Sequence, residues 1–239
     1  MDMNEDWQGH KEIILILAHP DDPEFFLGGT IARWARQGHT VRYVLLTKGD
    51  KGALDETITP KALMAMRVRE QNEAAQVLGV KSVEFLDYPD GMIWPDLEMR
   101  HSIVRMIRKY RPNILVTSDP AYLITNHNKI NHPDHRYTGQ AVLDAVFPAA
   151  GNRLYFPDLL DEGLAPHEVE EVWLSLTDQP DISLDVTKYW DKKISALRCH
   201  ISQIADPEIF EKQRIERLGL TPGQAFKVEE KFRRIRFRR

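Results

Sequence analysis

Ile13-Ile14-Leu15-Ile16-Leu17 is an unbroken run of branched apolar residues. Strict alternation would mark a strand with one wet face. An unbroken run predicts a strand covered on both faces, as in a parallel sheet between helix layers. After a polar loop, Gly28 to Gly38 reads as a helix with Ile31, Trp34 and Ala35 on one side. Val41 to Leu46 is a second strand, and Lys61 to Leu78 a helix with Gly79 as its C-cap. Ser82 to Leu86 is a third strand. Asp96 to Tyr110 is a helix with Leu97, Val104 and Ile107 at helical spacing, stopped by Pro112. Asn113 to Thr117 is a fourth strand and Asp134 to Val146 another helix. This alternation predicts an α/β sheet with right-handed crossovers.

The pattern is less regular after Phe147. Leu154 to His167 reads as an extended loop, Glu171 to Leu176 as a strand, and Thr187 to Ile204 and Pro207 to Leu218 as helices. No internal repeat or linker is evident. The expected organisation is one domain over residues 1–239, with a motif-bearing core at 1–150 and a variable subregion at 151–239.

Composition narrows the picture. The chain has 239 residues, 42% hydrophobic and 28% charged, and a formal net charge of -4, which argues against general nucleic-acid binding. A single cysteine, Cys199, excludes an internal disulfide framework and a cysteine-based zinc finger. No apolar run approaches a membrane span. Met1 to His10 is polar and acidic, unlike a signal peptide, so a cytoplasmic location is expected. Lys227 to Arg239 carries seven Lys/Arg, with Phe232 and Phe237 interleaved. Such a run reads first as a solvated terminal element or subunit contact, and second as a patch for RNA or a membrane surface.

In an open α/β sheet, ligands bind beyond the C-terminal strand ends. There the sequence places His19-Pro20-Asp21-Asp22 after strand one and Thr47 to Gly52 after strand two. Asp87 to Gly91 follows strand three, and a loop with His127 and Asn131-His132-Pro133-Asp134-His135 follows strand four. A dinucleotide site would need a glycine-rich first turn, and two carboxylates there would repel phosphate. His19, Asp22 and His135 suit a catalytic metal with three protein ligands and one open position. Asp21, beside Asp22, would take a proton from the attacking water, its side chain diverging as on an extended segment. The plainer alternatives are that the Asp pair caps the next helix and that His132 and His135 are solvated loop residues.

Ala18-His-Pro-Asp-Asp-Pro-Glu-Phe25 followed by Gly28-Gly29-Thr30, Thr47-Lys-Gly-Asp-Lys-Gly52, Arg67-x-x-Glu70, Phe85 to Gly91, and His132-Pro-Asp-His135 form five ordered motifs over roughly the first 150 residues. In this order they resemble the N-acetylglucosaminyl-phosphatidylinositol de-N-acetylase family, also called LmbE-like. The resemblance implies a Rossmann-like three-layer sandwich with a mostly parallel sheet. It implies a zinc-dependent hydrolase that removes acetyl from an N-acetylglucosamine-type amine. His19, Asp22 and His135 would be the zinc ligands and Asp21 the general base. His132 would hold the oxyanion or, if cationic, protonate the leaving amine. Arg67 and Asp90 would contact substrate. Asp134 would cap the following helix or orient an imidazole, with the cap favoured.

Pro23 and Asp50 depart from the family pattern, which bears on substrate more than on chemistry. Tyr155, Phe156, Trp173 and Trp190 are candidates for a sugar-facing wall, although core packing is the commoner role. The same donors accept Fe(II), Co(II) or Mn(II). The expected partner is a small acetylated amino sugar, with no nucleic acid and no membrane span, and a homo-oligomer is one candidate state. Other readings are an amidase or esterase for a different conjugate, or a non-catalytic binding protein on the same scaffold.

Overall fold

The computed structural model describes residues 5–53, 57–125, 128–206, 208–210, 212–213 and 227–237. The apolar run forms β1 (Glu12–Leu17), which pairs in parallel with β2 (Thr40–Thr47) on one side and β4 (Ile114–Ser118) on the other. β3 (Ser82–Tyr88) adds in parallel outside β2, and β5 (Glu171–Ser175) outside β4. β6 (Ile182–Asp185) and β7 (Glu229–Arg236) complete one seven-stranded sheet of order β3-β2-β1-β4-β5-β7-β6, with β7 antiparallel to both neighbours.

Successive side chains of a strand point to opposite faces, and both faces of β1 are covered. Ile13, Leu15 and Leu17 pack into one core with residues of α1 (Asp22–Arg36), α2 (Pro60–Leu78) and α6 (Trp190–Leu197). Ile14 and Ile16 pack into the other with α3 (Leu97–Tyr110), α4 (Pro133–Asp144) and the short α5 (Asp158–Asp161). The architecture is the three-layer α/β sandwich expected.

Three differences from the sequence expectation have physical causes. First, α1 begins at Asp22, ahead of Gly28, and is broken at Leu27 (φ -147, ψ 26). Where the helix resumes, the Glu230 carboxylate accepts from Gly29 N and Thr30 N at 3.1 and 2.7 Å, so a residue of β7 supplies the cap. Second, residues 229–236 of the charged tail form a strand of the sheet. It is β7, because Glu230 and Phe232 are buried in alternation with exposed Glu229, Lys231 and Arg233. Arg234 and Arg236 both donate to Asp6, and Arg236 also to Glu171. Arg238 and Arg239 lie outside the described residues. Third, the expected helix from Thr187 to Ile204 is a 3-10 turn (Thr187–Tyr189) followed by α6, and most of Pro207 to Leu218 lies outside the described residues.

Candidate active site

The parallel strands β1 to β5 end along a common edge, and the loops that leave it carry the candidate residues. α4 reaches this edge because Gly139 lacks a side chain: a Cβ there would lie 2.2 Å from Ser118 O at the end of β4. That close approach sets His132 and His135 opposite the turn after β1. Ring centroids of His19 and His132 are 4.8 Å apart, and those of His19 and His135 5.3 Å.

His19, Asp22 and His135 come together, each offering a ligand atom within 4.8 Å of the others. Their protonation states follow from what holds them from behind. Asn131 donates its amide to Tyr122 O at 2.8 Å, so its oxygen faces His135 Nδ1 at 3.0 Å. His135 therefore carries its proton on Nδ1 and turns a lone pair on Nε2 toward Asp22 Oδ1, 3.1 Å away. His19 Nε2 faces carboxylate oxygens of Asp134 at 3.2 Å and Asp90 at 3.1 Å, so its proton sits there. Its Nδ1 faces Asp22 Oδ2 at 3.5 Å. Two imidazole nitrogens and a carboxylate converge, and a positive charge among them, carried by a ring proton or by a metal ion, reconciles them. The donor set fits a metal of the zinc class, with outer partners that fix both rings. Burial opposes a charged ring at His19, yet Asp22, Asp134 and Asp90 outweigh it and lift its pKa well above the usual imidazole value. Burial likewise opposes ionisation of Asp22, but His135 and His19 hold its carboxyl far below the usual range.

The Asp pair is not a helix cap. Asp21 occupies the cap position of α1 without a side-chain cap bond, and Asp22 Oδ2 accepts from His19 N at 2.8 Å. Nor is the segment extended: Asp21 has φ 87, which is costly for a non-glycine residue and separates the two carboxylates. Asp21 N donates to Gln71 Oε1 at 2.7 Å, while Gln71 Nε2 bonds both oxygens of the buried Glu24. Glu24 also faces Tyr43 OH and His200 Nε2 at 3.3 and 3.1 Å. Burial pushes the Asp21 carboxyl up to about 7, with Asp22 adding to the rise and Arg67 working against it.

Arg67 is buried, donating to Pro20 O at 2.7 Å, Gly49 O at 3.3 Å and Asp21 Oδ2 at 3.3 Å. It ties the first two loops together beneath Asp21. Gly49 (φ +68) permits this, since a Cβ there would lie 2.2 Å from the guanidinium. Asp90 Oδ1 faces His19, its Oδ2 accepts from Lys51 N at 3.1 Å, and its own N–H is taken by Asp50 Oδ1 at 3.0 Å.

Asp134 settles in the orienting role rather than the favoured capping one. His132 is the cap of α4, its Nδ1 accepting from Asp134 N at 3.2 Å. Asp134 instead bonds Gly91 N and faces His19 with the same oxygen. Because Nδ1 of His132 accepts a backbone proton, the ring is neutral and presents Nε2–H outward. Burial and the neighbouring His19 and His135 lower its pKa, in keeping with that form.

The suggested aromatic wall is not assembled at this edge. Trp173 and Trp190 are in the core. Phe156 packs on His101, with the buried Arg108 donating to the carbonyls of Tyr155 and Phe156. His127 lies outside the described residues. Gln71, Glu24, His200 and Asn131 went unrecognised in the sequence. Asn131 had a signal, four residues before His135, and so did Glu24, which lies within the first motif.

A model of the family described as PIG-L, GlcNAc-PI de-N-acetylase, matches residues 14–146. A diacetylchitobiose deacetylase of Thermococcus kodakarensis is 34% identical over 204 residues, covering 85% of this chain and 74% of the relative. The solved N,N'-diacetylchitobiose deacetylase of Pyrococcus horikoshii superposes with a TM-score of 0.82 at 30% identity, covering 95% of this chain and 84% of that one. GalB, the 4-carboxy-2-hydroxymuconate hydratase of Pseudomonas putida KT2440, shares the fold with a TM-score of 0.73 at 24% identity, covering 95% of this chain and 97% of that one. The scaffold alone therefore does not determine the reaction. Family match, ordered motifs and the convergent His/Asp cluster agree: the chain belongs to the GlcNAc-PI de-N-acetylase family.

Proposed function

We propose that the chain is a zinc-dependent N-deacetylase that hydrolyses the acetamide of an N-acetylglucosamine-type sugar. The observation that carries this is the inward convergence of His19 Nδ1, Asp22 and His135 Nε2 beside the separately held Asp21. Those three residues would hold a zinc, which would supply Lewis acidity toward the acetyl carbonyl and lower the pKa of a water from 15.7 to roughly 7. Asp21, with its carboxyl already pushed upward by burial, takes the proton as water attacks. His132 donates Nε2–H to the developing oxyanion. The proton returns from Asp21 to the amine as the C–N bond breaks, because a neutral His132 is a poor acid. The products are acetate and the free amino sugar.

Residues 1–239 act in this reading as one domain, since Glu230, Lys193 and His200 all reach the helix that begins at Asp22. Among the described residues, no helix is long and apolar enough to cross a membrane. The single cysteine accords with a cytoplasmic setting.

The test is Asp21→Asn. Zinc content should stay at about one per chain, while kcat on N,N'-diacetylchitobiose falls about 10²–10⁴-fold. Parallel loss of metal and activity would remove Asp21 from the role of base.

A further inference from the structure

The chemistry above uses polar atoms alone, yet the loop that brings Asp90 and Gly91 to the site also displays a large aromatic surface. Of the five tryptophans, Trp34 and Trp173 are fully buried, Trp190 is in the core, and Trp7 packs against Trp34 and Trp173. Trp94 is 63% exposed. Tryptophan carries one of the largest hydrophobic contributions of any side chain. Left in water, the exposed face of such a ring forfeits that contribution unless something covers it.

Trp94 is exposed but held. Its ring meets Tyr137 of α4 edge-on, centroids 5.1 Å apart, and the Arg136 guanidinium lies 5.5 Å from the other ring's centroid. On its N-terminal side, Gly91 N and Ile93 N bond the two oxygens of Asp134 at 2.7 and 3.4 Å, and the Ile93 side chain is buried. On its C-terminal side, Trp94 O accepts from Asp96 N at 2.8 Å, and Asp96 caps α3 through Met99 N. The Asp134 oxygen that bonds Gly91 also faces His19 Nε2. Trp94 therefore directly follows a residue anchored on the carboxylate that orients a proposed metal ligand. Tyr137 lies three residues beyond Asp134, on the same face of α4 as that carboxylate.

A rigid aromatic face binds with little loss of side-chain freedom, and a pyranose presents an apolar C–H face that matches it. We propose that Trp94, buttressed by Tyr137, is a specificity-determining platform for a second sugar ring, joined to the acetamido sugar whose amide is cleaved. The preferred substrate then has at least two pyranose rings. This rests on the deacetylase reading above.

The experiment compares kcat/KM on N,N'-diacetylchitobiose and on N-acetylglucosamine for the zinc-loaded wild type, Trp94→Ala and Trp94→Phe. The preference for the disaccharide should fall roughly tenfold in Trp94→Ala, carried mainly by KM, and Trp94→Phe should restore most of it. An unchanged preference overturns the platform. So does a shift in oligomeric state that accompanies the loss, which would make Trp94 a subunit contact. Titration of protein fluorescence with N,N'-diacetylchitobiose separates the two readings. A Trp94-dependent change without hydrolysis of either sugar would uphold the platform and sink the deacetylase reading. Hydrolysis of the disaccharide with no Trp94-dependent change would do the reverse.

Discussion

Two buried charge clusters flank α1, and they are built on opposite terms. In the first, Glu230 accepts from Gly29 N, Thr30 N and Lys193 Nζ, while Lys193 also donates to Phe25 O at 3.0 Å. Donors meet acceptors there, and the cluster is closed. In the second, His19, Asp22 and His135 direct acceptors at one another, and their donors are taken up from behind by Asp90, Asp134 and Asn131. Burial alone therefore does not distinguish scaffold from site. The distinction lies in whether the polar atoms are satisfied among themselves or left needing something further.

The sharpest way to break this comparison is His135→Ala. Removing one inward ligand should weaken zinc binding by more than about 100-fold, beyond the loss usual for an outer partner of a ligand. Equilibrium dialysis against a zinc indicator measures it. Unaltered affinity would place the metal elsewhere. The matching cut in the closed cluster is Lys193→Met. It leaves the Glu230 charge buried and unpaired, which should cost about 3–5 kcal/mol in denaturant unfolding. Zinc affinity of the folded protein should stay near wild type, and adding Glu230→Gln should recover much of the stability. Loss of zinc binding in folded Lys193→Met would show that the clusters are not independent.

The smallest effect concerns His200, which joins the two regions through Glu24. Burial disfavours its charge, but the Glu24 contact and the nearby Asp21 and Glu70 outweigh that and raise its pKa. A raised folded-state pKa stabilises fully below the unfolded value near 6.5 and ceases to do so as pH climbs through the folded value. Wild-type melting temperature should thus decline from about pH 6 to pH 8 more steeply than that of His200→Gln. Parallel profiles would mean that the ring stays neutral in the fold.

Residues whose environment is local were readable in advance. Ile13 to Leu17 needed only its own pattern to declare a strand covered on both sides, and His19, Asp22 and His135 declared themselves by following strands. Residues whose role depends on a distant partner were not. Asp134 looked like a helix cap because nothing nearby in sequence reveals that Gly91, Ile93 and His19 converge on it. Gln71 sits among ordinary helix formers, and only the left-handed turn at Asp21 gives it work. β7 was masked by its charges: Glu230 is buried against expectation because backbone donors freed by the break in α1 receive it. Trp94 drew no notice because exposure is not written in sequence.

The position of β7 also orders events in time. It lies between β5 and β6, so β6, synthesised earlier, lacks its partner until β7 arrives. The same arrival joins Glu230 to Gly29 across 201 residues of chain, among the most distant contacts in the fold. Closing so long a loop comes late in folding. Until then β5 has an open edge, able to pair with other strands. A chain whose β7 has not docked would leave the β5 edge exposed, and β7 is the strand that covers it.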